Sequence, residues 1–489
     1  MVRPSRCRSS LLLALPIRSP SWGDAGMSRS PGSSRAVGNV PRVSSALVVL
    51  RQRPVRRYLA SIASASIGIN LLITVLFKQV YDITGDVFDI GLIGLAQFIP
   101  GLVLALPSGM AADRFDRRRV AGGFLGLRLA CAAVLVLFSL SFERGDGAVW
   151  VLMLVAVGIG TADAMIGPSS RSILPLMVSS VDVPRVVALW TATFTGASII
   201  GPAAGGILYS IDPAVAYGVA ALLAAGAVPL LLGVGYRSGV TATAADRSAP
   251  EQRPSLRLAL EGLVFIRRSP VVLAAISLDL FAVLFGGAVA LIPVVASDRL
   301  GVGDVAYGWL RAAPGVGAAL MALVLAVRPV ERRVGSTLLW VVAIFGAGTV
   351  AFGATTNYVV AFLALVVLSG ADMVSMFIRG TLVPLATPPE QLGRVSAVEG
   401  VFIGASNELG AFESGVAARY LGVPWAIMGG GVATILIAAV FAVAFPTLRR
   451  IDTFDEVTPE ATALDALRAE APEPVSPPSE TASRDPGSA

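Results

Sequence analysis

The sequence predicts an all-α polytopic membrane protein of twelve transmembrane helices, arranged as two pseudo-symmetric six-helix bundles. Hydrophobic residues make up 55% of the 489-residue chain and charged residues only 14%, whereas charged residues average about 25% in soluble domains. The 51 glycines and 31 prolines are spread through the apolar stretches, which is typical of membrane helices. The apolar stretches have spanning length and alternate with short loops that carry arginine.

Twelve apolar stretches account for most of the chain between residues 58 and 446. A helix needs about 20 predominantly apolar residues to cross the hydrocarbon core. Because no water is present there to bond the backbone, each crossing segment is expected to be helical. The stretches are 58–80, 88–108, 120–141, 148–168, 186–210, 213–235, 271–296, 305–327, 335–354, 358–378, 394–418 and 423–446.

The distribution of basic residues predicts the orientation of these helices. Lys and Arg concentrate in the cytoplasmic loops of membrane proteins. With both termini in the cytoplasm, 32 of the 38 basic residues fall on that side. Of the 38 basic residues, all except Lys78 are arginine. This preference for arginine over lysine indicates a GC-rich bacterial genome. We therefore expect a multi-pass protein of the bacterial plasma (inner) membrane, whose partner is the lipid bilayer and not nucleic acid.

The chain divides into five predicted segments. They are a disordered cytoplasmic N-terminal extension (1–57), an N-terminal six-helix bundle (58–235), a cytoplasmic linker (236–270), a C-terminal six-helix bundle (271–446) and a disordered cytoplasmic tail (447–489). Residues 11–17 mimic the apolar region of a signal peptide, but a disordered extension or translation from Met27 is the favoured interpretation. Within the linker, SLRLALEGLVFIRR (255–268) predicts a basic amphipathic helix on the inner leaflet.

An internal repeat relates the two bundles. With an offset of 209 residues, Ala162-Asp163 aligns with Ala371-Asp372, and Arg185-Val186 aligns with Arg394-Val395. Two halves related in this way are expected to place a site at their interface and to expose it alternately to the two sides of the membrane.

Several chemistries are excluded by composition. The chain has no histidine, so His-ligated zinc, a Ser-His-Asp triad and a histidine proton relay are impossible. Cys7 and Cys131 lie in unrelated segments, and no phosphate-binding G-x-x-x-x-G-K-[ST] motif is present. We therefore expect no metal, no cofactor and no enzyme activity, and any energy must come from a gradient.

One motif follows the second apolar stretch, GMAADRFDRRR at 109–119. Gly109 permits close helix contact, and Asp113 can meet the positive N-terminus of a neighbouring helix. Arg114, Arg117 and Arg118 can bridge carboxylates on the cytoplasmic face. A contact made in only one conformation is what a gate requires. A cluster of arginines that merely sets the orientation is the alternative. The motif resembles the signature G-x-x-x-D-R-x-x-R-R of the major facilitator superfamily.

A second motif lies in the fifth apolar stretch, where Gly201-Pro202 is followed by Gly205-Gly206. Small residues let helices pack closely, and proline permits local bending. The motif resembles the G-P-x-x-G-G core found in exporters of the same superfamily. A patch of glycines that serves only helix packing is the alternative.

Two longer stretches, 80–119 and 393–415, resemble the enterobactin-exporter and macrolide-efflux branch of that superfamily, and the similarity extends over about residues 50–446. The resemblance implies a monomeric secondary transporter that exports a small amphipathic organic compound, a siderophore or a drug, in exchange for protons. One departure matters, because the arginine that many drug/proton antiporters carry within the fourth span is absent here.

Three deep acids are candidate proton carriers. A charge near the bilayer centre costs on the order of 2.5–3.5 kcal/mol. Asp279 lies roughly 12 Å and Glu408 roughly 21 Å from the cytoplasmic end, at 1.5 Å per residue, and Glu413 follows Glu408. If these acids face a polar cavity, they would carry protons. The alternative is that each forms a permanent ion pair with an arginine.

Asp163 and Asp372 occupy equivalent positions of the repeat near the basic loops. We expect them to form conformational salt bridges to Arg117 or Arg332 and so to act in gating.

A different class of function stays open, a lipid-handling protein such as a lysophospholipid transporter on the same fold. It predicts a lateral opening between helices and no dependence on Asp279 or Glu408.

Overall fold

The structure, a computed structural model, describes residues 48–141, 147–235 and 256–459. The side chains of Leu106, Ala112, Asp113, Ala148 and residues 256–259 are also outside the description. The predicted N-terminal extension up to residue 47, including the alternative start Met27, and the predicted tail from residue 460 lie outside the described residues.

Twelve long helices run through the described residues, and the predicted all-α fold is confirmed. Eleven segments are long and apolar enough to cross a membrane. The exception is α11, whose 33 residues have the required length but carry Glu399, Glu408 and Glu413. The helices are α1 Arg53–Thr84, α2 Val87–Arg114, α3 Arg117–Ser141, α4 Ala148–Arg171, α5 Val183–Tyr209, α6 Pro213–Leu232, α7 Pro270–Phe285, α8 Asp304–Val327, α9 Val334–Ala354, α10 Tyr358–Ala386, α11 Pro389–Leu421 and α12 Val423–Ala444.

Local sequence signals fix the ends of these helices. Asp86 caps α2 by accepting a hydrogen bond of 2.9 Å from the Phe88 N–H, and Asn357 caps α10 in the same way. Side chains of this type satisfy the backbone donors that a helix start leaves free. Gly85 ends α1 in the left-handed conformation, which glycine adopts without steric cost.

Helix α7 is regular only in its first half. After Phe285 the chain continues as a 3-10 turn, Gly287–Leu291, and then as a π-helical turn, Val295–Arg299. The break begins at two glycines, and a Cβ on Gly287 would lie 2.4 Å from the carbonyl oxygen of Gly410 on α11. Close contact between the two backbones therefore accompanies the change in helix pitch.

Helices α1–α6 and α7–α12 form two halves, which meet chiefly along α2 with α11 and along α5 with α8. We call the end of the bundle that carries the turns at Gly85, Ser210 and Gly301 the outer end. The opposite end, which carries the arginine-rich loop at 115–119, is the inner end. These names follow the orientation that the basic residues predict.

Segments outside the twelve helices pack on the inner end. Helix Leu256–Arg268 of the predicted linker contacts α11, and its Glu261 forms an ion pair of 2.9 Å with Arg394. At the start of the predicted tail, helix Pro446–Arg450 is followed by Ile451, whose carbonyl accepts a hydrogen bond from the Gly335 N–H. The residues just after 447 are thus packed against the C-terminal half, because their backbone bonds to the start of α9.

Candidate substrate cavity and gates

The outer end is closed along α2 and α11 by contact between backbones. A Cβ on Gly91 would lie 3.2 Å from the carbonyl oxygen of Phe412, and one on Gly415 would lie 2.9 Å from the Cα of Gly91. Small residues let membrane helices approach closely. Arg419 of α11 adds an ion pair of 2.8 Å with Asp86, which also joins the two halves.

The glycines of the G-P-x-x-G-G motif close the other side of the outer end. A Cβ on Gly206 would lie 2.6 Å from the Cα of Gly308 on α8, so these two helices touch through their backbones. Gly201 and Gly205 face α1, where a Cβ would lie 2.6 Å from the Cβ of Asn70 and 3.3 Å from the Leu71 carbonyl oxygen, respectively. Pro202 is buried inside α5. The motif therefore packs α5 against both halves.

Lys78 and its partners form an ionic contact between the halves at the outer end. Its ammonium group pairs with Asp82 on its own helix and lies 3.4 Å from Asp304 on α8. Tyr209 donates a 2.8 Å hydrogen bond to Asp82. Only 7% of Lys78 is exposed. The opposing carboxylate of Asp304 holds the ammonium group at the interface between the halves.

A cavity of two chambers lies between the halves below this closure. The lower chamber, about 530 Å³, opens toward the inner end between α2, α4 and α11. The upper chamber, about 310 Å³, lies beneath the closed outer end and is lined by α1, α2 and α7–α11. Gln97 and Glu408 line both chambers. The contacts described above close the outer end, whereas the wall of the lower chamber extends to Gly109, Pro168 and Ala397 on the side of the inner end.

Glu408 of α11 stands at the junction of the two chambers and is partly buried. Gly94 on α2 lies beside it, since a Cβ there would lie 3.6 Å from Oε2 of Glu408, at ordinary van der Waals distance. Its neighbour Asn407 lines the upper chamber. The sequence predicted that this acid would face a polar cavity, and the structure places it there.

Arg311 of α8 is the only cation among the described residues that line either chamber. One of its terminal nitrogens donates a 2.7 Å hydrogen bond to the carbonyl of Val289, in the 3-10 turn that breaks α7. Its guanidinium lies 5.4 Å from the centroid of the Phe77 ring. Sequence analysis did not single this residue out. The available signal was an arginine at the seventh residue of the apolar stretch 305–327, because such a charge needs a polar partner or cavity.

Asp279 lies away from both chambers, at the contact between α7 and α10. Its carboxylate forms an ion pair of 2.7 Å with Arg379, which also donates to Ser375. Asp279 is 6% exposed and borders a void of only about 10 Å³, shared with Asp372. The expectation that Asp279 faces the polar cavity is therefore corrected. Its counterion is on a neighbouring helix of the same half and draws it there.

The two repeat-related aspartates have different partners from those expected. Asp163 lines the lower chamber and accepts a 2.8 Å hydrogen bond from Nε of Arg128 on α3, not from Arg117. Asp372 lines the upper chamber within electrostatic range of Arg379. Arg332 instead pairs with Asp452. Arg117 begins α3, and Arg332 lies just before α9, so both arginines are at the inner end.

The motif at 109–119 makes its described contacts within the N-terminal half. Arg117 donates to the Ser172 carbonyl at 3.3 Å, and Arg118 donates to the Val234 carbonyl at 2.6 Å. Arg118 also pairs with Asp116. The guanidinium of the exposed Arg114 lies over the ring of Phe115.

Three further positions complete the predicted set. Gly109 lines the lower chamber, and the side chain of Asp113 lies outside the described residues. Glu413 is partly buried beside the α2–α11 contact and lines neither chamber. Among the described residues, no group of three His, Cys, Asp or Glu side chains could hold a metal ion.

Two six-helix halves around a cavity are the arrangement of a membrane transporter. Residues 58–398 match the Major Facilitator Superfamily, and the chain belongs to that superfamily of transporters and is not an enzyme.

Known proteins of this type resemble the chain over most of its length. An MFS-type transporter named YfiS, from Bacillus subtilis (strain 168), is 24% identical over 409 residues, which cover 80% of this chain and 92% of YfiS. The D-xylose-proton symporter has a similar structure, with a TM-score of 0.62 at 12% identity, covering 79% of this chain and 96% of its own. The nucleoside transporter NupG gives a TM-score of 0.60 at 12% identity, with 80% and 100% covered. These structural likenesses establish the fold.

Proposed function

We propose that the protein exports a small amphipathic organic compound, a siderophore or a drug, in exchange for protons by alternating access. The observation that carries the proposal is the position of Glu408, at the junction of two chambers that open together toward the inner end. The inner end faces the cytoplasm in the orientation that the basic residues predict. A compound would then enter from the cytoplasm, and the resemblance to the enterobactin-exporter and macrolide-efflux branch supports outward transport.

The lining of the lower chamber suits an amphipathic compound. Its wall includes the apolar side chains of Phe98, Leu102 and Val401, with polar groups at Gln97 and Glu408. Ligand sites of small organic molecules are commonly apolar clefts of about 300–1,000 Å³ with few, well-placed polar groups. Both chambers fall within that range.

Glu408 is the favoured proton carrier. An ionised carboxylate deep in a membrane protein is costly and its protonated form much less so, unless a counterion or water stabilises the charge. Glu408 can exchange protons with water that enters from the inner end. Once the inner end closes and the outer end opens, the same carboxylate would face the outer side.

Asp279 is proposed as a second, indirect participant. Asp372 borders the same small void as Asp279, so a second carboxylate lies near the buried ion pair of Asp279 with Arg379. Asp372 connects this cluster to the upper chamber. Glu413, which reaches neither chamber, is the weakest candidate.

Alternating access needs one gate at each end. We propose that the outer contacts of Lys78, Gly206 and Arg419 separate when the protein opens outward. Asp113, Arg114, Arg117 and Arg118 would then form contacts between the halves at the inner end.

Proton-driven transport in vesicles tests the proposal. The full chain is reconstituted into liposomes, and a pH gradient is imposed in the presence of a radiolabelled macrolide or catecholate siderophore. We expect the gradient to drive accumulation by the parent protein and expect Glu408→Gln to abolish it. Asp279→Asn should reduce it. Glu390→Gln, at an exposed acid in the first turn of the same helix, is the matched control.

Two results would count against the proposal. If the parent protein accumulates the compound equally with and without a pH gradient, proton coupling is refuted. Coupling that is unchanged in both Glu408→Gln and Asp279→Asn would remove the assigned carriers and favour the lipid-handling alternative.

A further inference from the structure

The wall of the upper chamber carries a cation, Arg311, and a carboxylate, Glu408, that form no ion pair with each other, and this arrangement defines a class of ligand. We propose that the transported compound is a zwitterionic amphiphile, whose anionic group binds Arg311 and whose ammonium group binds Glu408. The inference rests on the proposed function, because it places the ligand in the same cavity.

Arg311 is held ready for an anion. Its hydrogen bond to the Val289 carbonyl and its position over Phe77 fix the guanidinium at the wall of the upper chamber. A guanidinium has five N–H donors, and the described structure gives one hydrogen bond for them. A carboxylate or phosphate can accept two parallel hydrogen bonds from the remaining donors.

Glu408 supplies the opposite charge within the same chamber. It lies within electrostatic range of Arg311, yet no ion pair joins these two described residues. Asp372 adds a second carboxylate to the wall. A ligand that carries a cation and an anion can therefore bind both walls at once.

Gln97 adds an unsatisfied polar group at the junction of the chambers. It is 8% exposed, and its Nε2 has no hydrogen-bond partner among the described residues. A buried donor without a partner is unfavourable, so a ligand oxygen at this position would be stabilising. The donor lies where the head group of a ligand in the upper chamber would continue into the lower one.

Ligands with one charge fit this arrangement less well. A purely cationic compound bound at Glu408 would place its charge near the unpaired guanidinium of Arg311. A purely anionic compound bound at Arg311 would face Glu408 and Asp372. Charges left uncompensated in a site of low dielectric are costly, so the zwitterion is the class that both walls favour. Its apolar body would occupy the lower chamber.

The same arrangement explains how binding could exchange with protonation. An ammonium group can bind the Glu408 carboxylate only after that carboxylate has released its proton. Arg311 stays charged throughout, so the anionic group is recognised in every state of the cycle.

Three matched probes test the ligand class by direct binding. The full chain is placed in lipid nanodiscs, and calorimetry compares naphthylalanine, which is zwitterionic, with naphthylethylamine and naphthylpropionate. The aromatic body is shared, and only the charged groups differ. We expect the zwitterion to bind about tenfold or more tightly than either single-charge probe. Equal binding by naphthylethylamine, equal binding by naphthylpropionate, or no binding of naphthylalanine would overturn the proposal.

Variants then assign the two charges. Arg311→Gln should reduce the affinity for naphthylalanine to that for naphthylethylamine, and Glu408→Gln should reduce it to that for naphthylpropionate. Arg311→Lys keeps the charge and should retain part of the preference, which guards against a folding defect. Arg299→Gln is the matched control, because Arg299 also donates to a backbone carbonyl but lines neither chamber.

Binding needs no gradient, so this test is separate from that of proton coupling. Loss of proton-driven transport with a retained preference for the zwitterion would refute the proposed coupling alone. Normal coupling with no such preference would refute the ligand class alone.

Discussion

The Nζ atom of Lys78 on α1 lies 3.4 Å from Oδ1 of Asp304 on α8, so the single lysine of the chain connects the two halves of the transporter. The same ammonium group pairs with Asp82 one helical turn further on. A buried ammonium is tolerated only where carboxylates compensate it. Asp304 can do so only while the outer end is closed, and Lys78 therefore stabilises that conformation.

We predict that Lys78→Met shifts the protein toward the outward-open conformation. The contact with Asp304 is an ion pair with a partly exposed carboxylate, which contributes about 1 kcal/mol, so its loss changes the ratio of the two conformations roughly fivefold. Electron-spin distance measurements between labels at Ile211 and Tyr420, exposed at the outer ends of the two halves, would detect the separation.

Two further variants sharpen that measurement. Asp304→Asn should separate the same labels, because it removes the other partner. Arg332→Gln, whose partner Asp452 lies in its own half, should leave the distance unchanged. A Lys78→Met distribution identical to that of the parent would contradict the assigned role of the lysine.

We predict that Gly206→Ala prevents full closure of the outer end. The new Cβ would lie 2.5 Å from the Asp304 carbonyl oxygen and 2.6 Å from the Cα of Gly308, and overpacking of this kind costs about 1–3 kcal/mol. Transport should fall and the outer-end labels should move apart. Gly196→Ala on the same helix has nothing within 4 Å of the added Cβ, so it should behave like the parent.

We predict that Asp279→Asn lowers the stability of the C-terminal half. It leaves the guanidinium of Arg379 buried without its ion-pair partner, and breaking a buried pair costs about 3–5 kcal/mol. Thermal unfolding in detergent should register the loss. The double variant Asp279→Asn with Arg379→Met should recover part of the stability. If the single variant unfolds at the parental temperature, the pair makes no net contribution.

We predict that Arg117→Gln acts in the direction opposite to Lys78→Met. With the outer end closed, Arg117 donates to Ser172 of its own half, whereas the proposed inner gate forms only in the proposed outward-open conformation. Its loss should therefore favour the inward-open conformation. Labels at inner-end positions would then stay apart even when the outward-open form is promoted by Lys78→Met. A shift toward the outward-open form would argue against an inner gate at this motif.

The helices could be predicted from the sequence because membrane spans have a required length and composition. The twelfth stretch, expected at 423–446, forms α12 at Val423–Ala444. The first was placed at 58–80, but Pro54 in the first turn and Gly85 at the end extend α1 to Arg53–Thr84. Apolar composition predicts that a helix crosses the membrane, whereas its ends depend on caps and turns.

The partners of the charged side chains could be predicted only in part. The depth of Glu408 placed it in the cavity, since depth follows from residue count along α11. Asp279 also lies deep within its span, but α7 is rotated so that the carboxylate faces Arg379, which is a hundred residues away in the sequence. The roles of Lys78 and Arg311 were not predicted for the same reason. Tertiary packing decides which helix faces each side chain, and the sequence pattern of a single helix does not identify that neighbour.

The backbone contact between Gly206 and Gly308 contains no ionisable group, whereas the contact between Arg419 and Asp86 is an ion pair of largely exposed side chains. Dissolved salt screens an exposed ion pair and has no direct effect on a contact between uncharged backbones. The outer end therefore has one contact between the halves that responds to the ionic strength of the external medium and another that does not. A change in external salinity should alter how often the transporter opens outward without changing how tightly the helices meet once they close.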